Sequence, residues 1–496
     1  MTTARGSAAR PEGPMARLLS SSALYAVTGA AQQAIGFLLI PVYTRLIAPA
    51  DYGALELLTA FLSIAMMCVT LGMSSAINKV YHRDCETPRE RDAVVATALM
   101  TVLPAMLLVG GALVAVAGPL SAFLTGSADN ARLLRMVAAS SLCYGAFALL
   151  LGGFRAAERA RAYSVLSIVQ FSLALGLNLA FVAGARLGVE GVVLGNLCAN
   201  VAALSLGVVL LGPGRRLAFE RRLVWPLLAF GLAVLPGMLA GWVMDVSDRY
   251  LLRIFRTLDE VAQYGVGYKF GLAVQLLVTW PFQLAWPAIA FGISKDDGHE
   301  RTFARVLTYL VLVLTAVLLV VVAASRSVLP VIVGAGYTAG CAVVPIVALA
   351  YALNALQYCI APGIHIGGRT RSLSAIGVGS AVANLALGLL LIPHLGMLGA
   401  AWATVGAYAL ALAGAGWLAQ RSHPVRWEAG RLARIVGAGL VAWILMEVVS
   451  ANAAGVWLFV GQGAVVSGFL ALAVSGFVTA DERAQLAGFL HRYVQT

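Results

Sequence analysis

A chain of 496 residues, of which 60% are hydrophobic and only 11% charged, departs far from soluble proteins, where about 25% of residues are charged. That composition excludes a soluble enzyme or a disordered scaffold. The formal net charge of +12 would point to nucleic acid in a soluble protein, but here it belongs to loops that face an anionic leaflet, so no nucleic-acid partner is expected.

Residues 1–17 are polar and are expected to stay attached as a cytoplasmic segment, because the apolar run after them is too long for a signal-peptide core. A membrane helix needs roughly 20 mostly apolar residues. Breaks at short polar or Gly/Pro clusters predict fourteen spans, at 18–46, 53–78, 93–118, 132–153, 162–184, 188–211, 223–250, 260–293, 302–325, 339–364, 372–393, 395–419, 432–451 and 453–478. The predicted fold class is all-α, polytopic in the membrane. With the N-terminus inside, 25 of the 34 Lys and Arg fall on the cytoplasmic side, eight on the other side and one, Lys269, within a span. This asymmetry follows the positive-inside rule and predicts that both termini are cytoplasmic.

The chain repeats itself. Asp51-Tyr52-Gly53 returns as Gln263-Tyr264-Gly265 at an offset of 212, Arg159-Ala160-Arg161 as Arg369-Thr370-Arg371 at 210, and LGVEG (187–191) as LGMLG (395–399) at 208. The offset covers six spans, an even number, so the two copies cross in the same direction as parallel repeats. The expected organisation is an N-lobe over 18–212, a basic cytoplasmic linker over 213–222, a C-lobe over 223–420, a cytoplasmic loop over 421–431, two added spans over 432–478 and a cytoplasmic tail over 479–496. Asp51-Tyr52-Gly53 reads as a turn between the first two spans. Pro281 and Pro287 are expected to bend span 8.

Ionisable groups inside spans are costly and mark function or a buried pair. Lys269 lies ten residues into its span, about 15 Å deep at the helical rise; it either faces a cavity or is neutralised by an acid on a neighbouring span. Asp245 and Arg249 are four apart and can pair on one helical face, while Asp248 points elsewhere. Arg45 and Arg249 each read two ways, as cavity ligands or as side chains that snorkel to the interface. Facing one another across the repeats, Arg45, Arg249 and Lys269 would form a cationic cavity suited to phosphate or pyrophosphate. Tyr43, Tyr268 and Trp242 would add surfaces for sugars or act as interfacial anchors.

Enzyme signatures are missing. The sequence has no G-x-x-x-x-G-K-[ST] and no H-E-x-x-H, its six histidines are scattered, and its six cysteines form no C-x-x-C pair. Neither a metal nor a cofactor is expected.

PVYTRLIAPADYGALEL after span 1, DRYLLR and YGVGYKF in spans 7 and 8, PFQLAWPAIAF, and the LGVEG and LGMLG turns resemble the Wzx-type polysaccharide-biosynthesis oligosaccharide flippases of the multidrug/oligosaccharidyl-lipid/polysaccharide (MOP) exporter superfamily. The resemblance implies two six-helix lobes arranged as a V, two added helices and a bacterial inner membrane. It implies transport of undecaprenyl-pyrophosphate-linked oligosaccharide units to the outer leaflet, driven by an H+ or Na+ gradient, with membrane lipids, a polysaccharide polymerase and a chain-length regulator as partners. It carries Arg45, Arg249 and Lys269 as anion contacts and Asp245 and Asp248 as ion-pair or coupling candidates. Two other readings stand beside it: a drug exporter of the same superfamily, which would need buried acids for cationic drugs, and a membrane-embedded glycosyltransferase or polymerase, which would need catalytic acids in outer loops. The arginine-rich opening span of lipid II flippases is not seen.

Overall fold

The computed structural model describes residues 37–212, 218–294, 298–368 and 370–477. The N-terminal segment, the first part of span 1, the first half of the linker and the C-terminal tail lie outside the described residues.

The described residues form helices and no strands. A short apolar helix, α1 (Phe37–Leu46), completes span 1, and thirteen helices long and apolar enough to cross a membrane follow: α2 (Pro49–Asp84), α3 (Pro88–Ala115), α4 (Ala128–Ala156), α5 (Ala160–Gly184), α6 (Gly188–Leu211), α7 (Arg221–Phe255), α8 (Leu258–Ile293), α9 (His299–Ser327), α10 (Val344–Ile366), α11 (Ser372–Leu395), α12 (Met397–Ser422), α13 (Ala429–Asn452) and α14 (Val456–Phe477). Among the described residues the predicted spans 2 to 14 are found, with helices running past their apolar stretches where polar caps permit. At α3 the Thr87 hydroxyl accepts from the Glu90 amide (3.2 Å) and the Glu90 carboxylate accepts from the Thr87 amide (3.1 Å), a capping box that starts the helix five residues before its predicted apolar edge.

One sequence expectation is corrected. Asp51-Tyr52-Gly53 is not a turn but the first turn of α2, where Pro49 opens the helix and Asp51 sits near the positive end of its dipole; the chain turns earlier, at Ile47-Ala48. In α8 the interruption is a π-helical turn at Gln275–Thr279, followed by Trp280–Ile293 with Pro281 in its opening positions and Pro287 inside.

The chain forms two compact units. Among the described residues, one gathers Ala65–Ala117 and Arg132–Leu235; the other gathers Phe37–Ile64, Gly118–Ala131 and the residues from Pro236 onward. In the first, a core around Met73, Ile77, Val94, Phe147, Leu150 and Leu166 joins α2 to α5, and Arg222 at the head of α7 pairs with Glu86 (2.8 Å) and Glu90 (2.9 Å). In the second, a core around Leu57, Tyr264, Tyr268, Trp286, Val347 and Tyr351 joins α2, α7, α8, α9 and α10.

Two of the three repeated phrases are visible in backbone geometry, with one copy in each unit. Glu158 (φ 53°) and Gly368 (φ 71°) occupy the left-handed turn before each Arg-x-Arg phrase. Gly188 (φ 56°) and Gly396 (φ 57°) open the LGVEG and LGMLG turns, and the second glycine of each, Gly191 or Gly399, lies against a backbone carbonyl of the preceding helix, Phe181 or Leu391. Only glycine meets such a turn without strain and lets backbones come so close.

Candidate functional site: a buried charge network

In the second unit, the start of α2, the end of α7 and the first part of α8 converge. Gly53 rests directly on the Leu258 carbonyl, and Gly265 faces the Glu56 side chain, so the two copies of the Tyr-Gly phrase allow α2 and α8 to approach. A third contact, Gly267 on the Gly340 carbonyl and Gly340 on the Gln263 carbonyl, fixes α8 against the 3-10 helix Ala335–Ala342.

This approach brings Glu56 of α2 against two cations. Its Oε1 pairs with Lys269 Nζ and its Oε2 lies 3.6 Å from Arg249 Nε. Lys269 also donates to the Tyr52 hydroxyl (2.6 Å) and sits over that ring at 5.0 Å. Arg249 Nη1 reaches Asp248 Oδ1 (3.4 Å) and the Asp245 carbonyl (2.7 Å), and its guanidinium lies 4.7 Å above the Tyr268 ring. Tyr264 donates to the second Asp248 oxygen. The Asp245 carboxylate accepts from Tyr351 (3.1 Å) and Tyr268 (3.4 Å), whose hydroxyls are 2.5 Å apart. The side chains of Asp248, Arg249 and Glu56 are 4%, 9% and 14% exposed, against 30% for Lys269; the lysine is therefore the accessible edge of the network.

The structure brings together four of the five charged residues singled out in the sequence, together with Tyr268, and adds four more. Arg249, Lys269, Asp245 and Asp248 share the network, but the expected Asp245–Arg249 ion pair is replaced. Asp248 takes that role, because Arg249 folds its guanidinium back along α7 and the Asp245 carboxylate turns to the tyrosines of α8 and α10. Arg45 stands apart: it is exposed and donates to the Val331 carbonyl (3.1 Å). Lys269 takes its second sequence reading, paired with an acid on a neighbouring span. Glu56, Tyr52, Tyr264 and Tyr351 complete the set.

Chemically, two cations and three carboxyl groups sit where water is scarce. Each charge is paired or hydrogen-bonded, as burial requires. Glu56 is shared by both cations, so displacing one carboxylate would open two anion-binding donors, a guanidinium fork and an ammonium. Arg253 and Arg256, at the end of α7, are committed elsewhere, to the Thr125 (3.0 Å) and Pro393 (2.9 Å) carbonyls. No cluster of three His, Cys, Asp or Glu side chains able to hold a metal ion occurs among the described residues.

Residues 18–291 match the family model described as "Polysaccharide biosynthesis protein". No curated protein sequence matches the chain. Among solved structures, the fold is similar to the lipid II flippase MurJ in an inward closed conformation (TM-score 0.70, 10% identity, 92% of this chain and 98% of that one covered). It is also similar to an inward-facing multidrug resistance MATE family transporter of the MOP superfamily (TM-score 0.61, 15% identity, 82% and 96% covered) and to a MATE transporter in complex with MaD3S (TM-score 0.56, 14% identity, 86% and 97% covered).

Proposed function

The chain belongs to the polysaccharide biosynthesis protein family, and from that premise we propose that it is a Wzx-type flippase. Its substrate on this reading is an undecaprenyl-pyrophosphate-linked oligosaccharide unit, carried from the cytoplasmic to the outer leaflet of a bacterial inner membrane for surface polysaccharide synthesis. The observation that carries the proposal is the pair of cations on apolar helices, buried Arg249 and the more accessible Lys269, held by one shared carboxylate.

A pyrophosphate crossing the hydrocarbon must have its hydration replaced at every stage. Arg249 and Lys269 supply that replacement, while the lipid tail stays in the bilayer. Alternating access requires that the anion be held in both states without being trapped in either. Glu56 meets this need by competing for the same cations, and Asp245 and Asp248 are candidates for coupling to an H+ or Na+ gradient. Arg45, the counterpart of the Arg249 region in the repeat, is proposed as an outer contact of the same headgroup.

Replacing Arg249 or Lys269 with Ala in a strain that depends on this protein is expected to lower surface polysaccharide at least about tenfold, the effect of losing about 1.5–3 kcal/mol of charged hydrogen bonding. Protein level is measured alongside. Normal polysaccharide from stably inserted variants would overturn the assignment. A drug exporter is favoured by a different feature, the buried acids Glu56 and Asp248, which suit an organic cation. That reading predicts raised resistance to cationic dyes on overexpression, with polysaccharide unchanged when the protein is deleted.

A further inference from the structure

A second basic site lies within the first unit. A cavity of about 530 Å³ is lined by Ser74, Ser75, Asn78, Lys79, His82, Arg83, Gly152, Arg155 and Phe230, a size in the range of small-ligand sites, about 300–1,000 Å³. The lining comes from the end of α2, the end of α4 and the first half of α7.

The local backbone builds this cavity in two steps. Leu71 (φ 49°) and Gly72 (φ 64°) break α2, and Gly231 of α7 rests directly on the Leu71 carbonyl, so the restarted helix leaves its serines facing outward. The last turn then widens into a π-helical stretch, Val80–Asp84, a feature frequent at functional sites. The wider turn stacks residues five apart, and Lys79 meets Asp84 at 2.9 Å. That pairing holds Lys79 along the wall, 5.5 Å over the Phe230 ring. Arg155 is held 5.4 Å over the Tyr163 ring. Ser74, Ser75, Asn78, His82, Arg83 and Arg155 are exposed, and three cations with Asp84 as the acid leave a positive balance beside hydroxyl and amide donors.

We propose that this cavity is a phosphate-binding site, with Arg83 and Arg155 as the charged contacts and Ser74, Ser75 and Asn78 as neutral donors. Arginine forks match phosphate oxygens in pairs, and hydroxyl and amide groups fill the remaining lone pairs. On the topology proposed above the cavity opens at the cytoplasmic leaflet. Two sources can present the same chemistry there: the pyrophosphate of a lipid-linked substrate, which rests on the flippase reading, or the phosphate of an anionic phospholipid, which does not.

The test uses the full chain in nanodiscs. Farnesyl pyrophosphate is titrated into phosphatidylcholine discs, and retention of phosphatidylglycerol is measured separately in mixed discs. Arg83→Gln with Arg155→Gln is expected to weaken one of the two at least about tenfold, roughly what a lost charged hydrogen bond amounts to. Arg83→Lys with Arg155→Lys should keep much of the binding, and Arg434→Gln, an exposed cation outside the cavity, should change nothing. A loss confined to farnesyl pyrophosphate assigns the site to substrate; a loss confined to phosphatidylglycerol assigns it to lipid. Equal binding by the wild type and the Gln pair, or an equal loss in Arg434→Gln, overturns the proposal. Because these readouts are binding, they stand apart from the flippase reading, which fails separately if deletion leaves surface polysaccharide intact.

Discussion

Glu56 is the residue on which the charged network turns, since one carboxylate answers two cations on two other helices. Removing one partner of a buried pair leaves an uncompensated charge and costs about 3–5 kcal/mol, whereas removing both partners costs far less. Glu56→Gln is therefore expected to lower the thermal midpoint strongly in detergent, and Glu56→Gln with Lys269→Met to recover a large part of the loss. Additive effects in that double-mutant cycle would show that the two side chains do not act as a pair. Lys269 and Arg249 were legible in the sequence because a charge inside an apolar run has few innocent explanations. Glu56, seven residues after the start of α2, carries no such signal. Its partners lie more than 190 residues away, and helical periodicity says nothing about contacts over that distance. Asp248 was misread for a similar reason. Spacing along an ideal helix predicts an i, i+4 partner for Arg249, but a long side chain folded along its own backbone can meet its neighbour instead.

At the scale of elements, the helices are placed by glycines that let backbone touch backbone. Gly340 lies on the Gln263 carbonyl and Gly267 on the Gly340 carbonyl, whereas a Cβ at Gly377 of α11 would meet nothing within 4 Å. Gly340→Ala is expected to cost about 1–3 kcal/mol through displacement of α8, and Gly377→Ala to leave the thermal midpoint unchanged or slightly raised, since alanine favours the helix. Equal behaviour of the two variants would remove the argument from close approach. Thirteen of the fourteen predicted spans are seen among the described residues, and they could be read from composition because the lipid's demand for long apolar helices is written locally. The Tyr-Gly phrases could be found by comparing the chain with itself, yet their meaning could not: Asp51-Tyr52-Gly53 has the residues of a turn, and only packing shows that its glycine serves contact with α8 inside a continuous helix. The break in α8 was expected at its prolines; the π-helical turn before them is a hydrogen-bonding detail that proline positions alone do not specify.

For the whole molecule, the chain belongs to the polysaccharide biosynthesis protein family and its fold is similar to MurJ and MATE transporters, and the proposed carrier reading rests on what its buried charges can exchange. On that reading an incoming pyrophosphate does not enter an empty cationic hollow; it must take the place of the Glu56 carboxylate already bound. Its affinity would then be the difference between two anions for the same cations, with Glu56 as a tethered competitive inhibitor. Weakening that inhibitor should make affinity and turnover part company: Glu56→Gln is expected to bind farnesyl pyrophosphate several-fold more tightly while delivering less polysaccharide, measured by titration and by surface glycan in the same strain. Tighter binding with undiminished delivery would mean that release, not capture, is governed elsewhere. On the proposed reading, a carrier that keeps its own substitute for the cargo can reset without it: with the Glu56 carboxylate over Arg249 and Lys269, the empty protein would not have to bring two bare charges back through the oil.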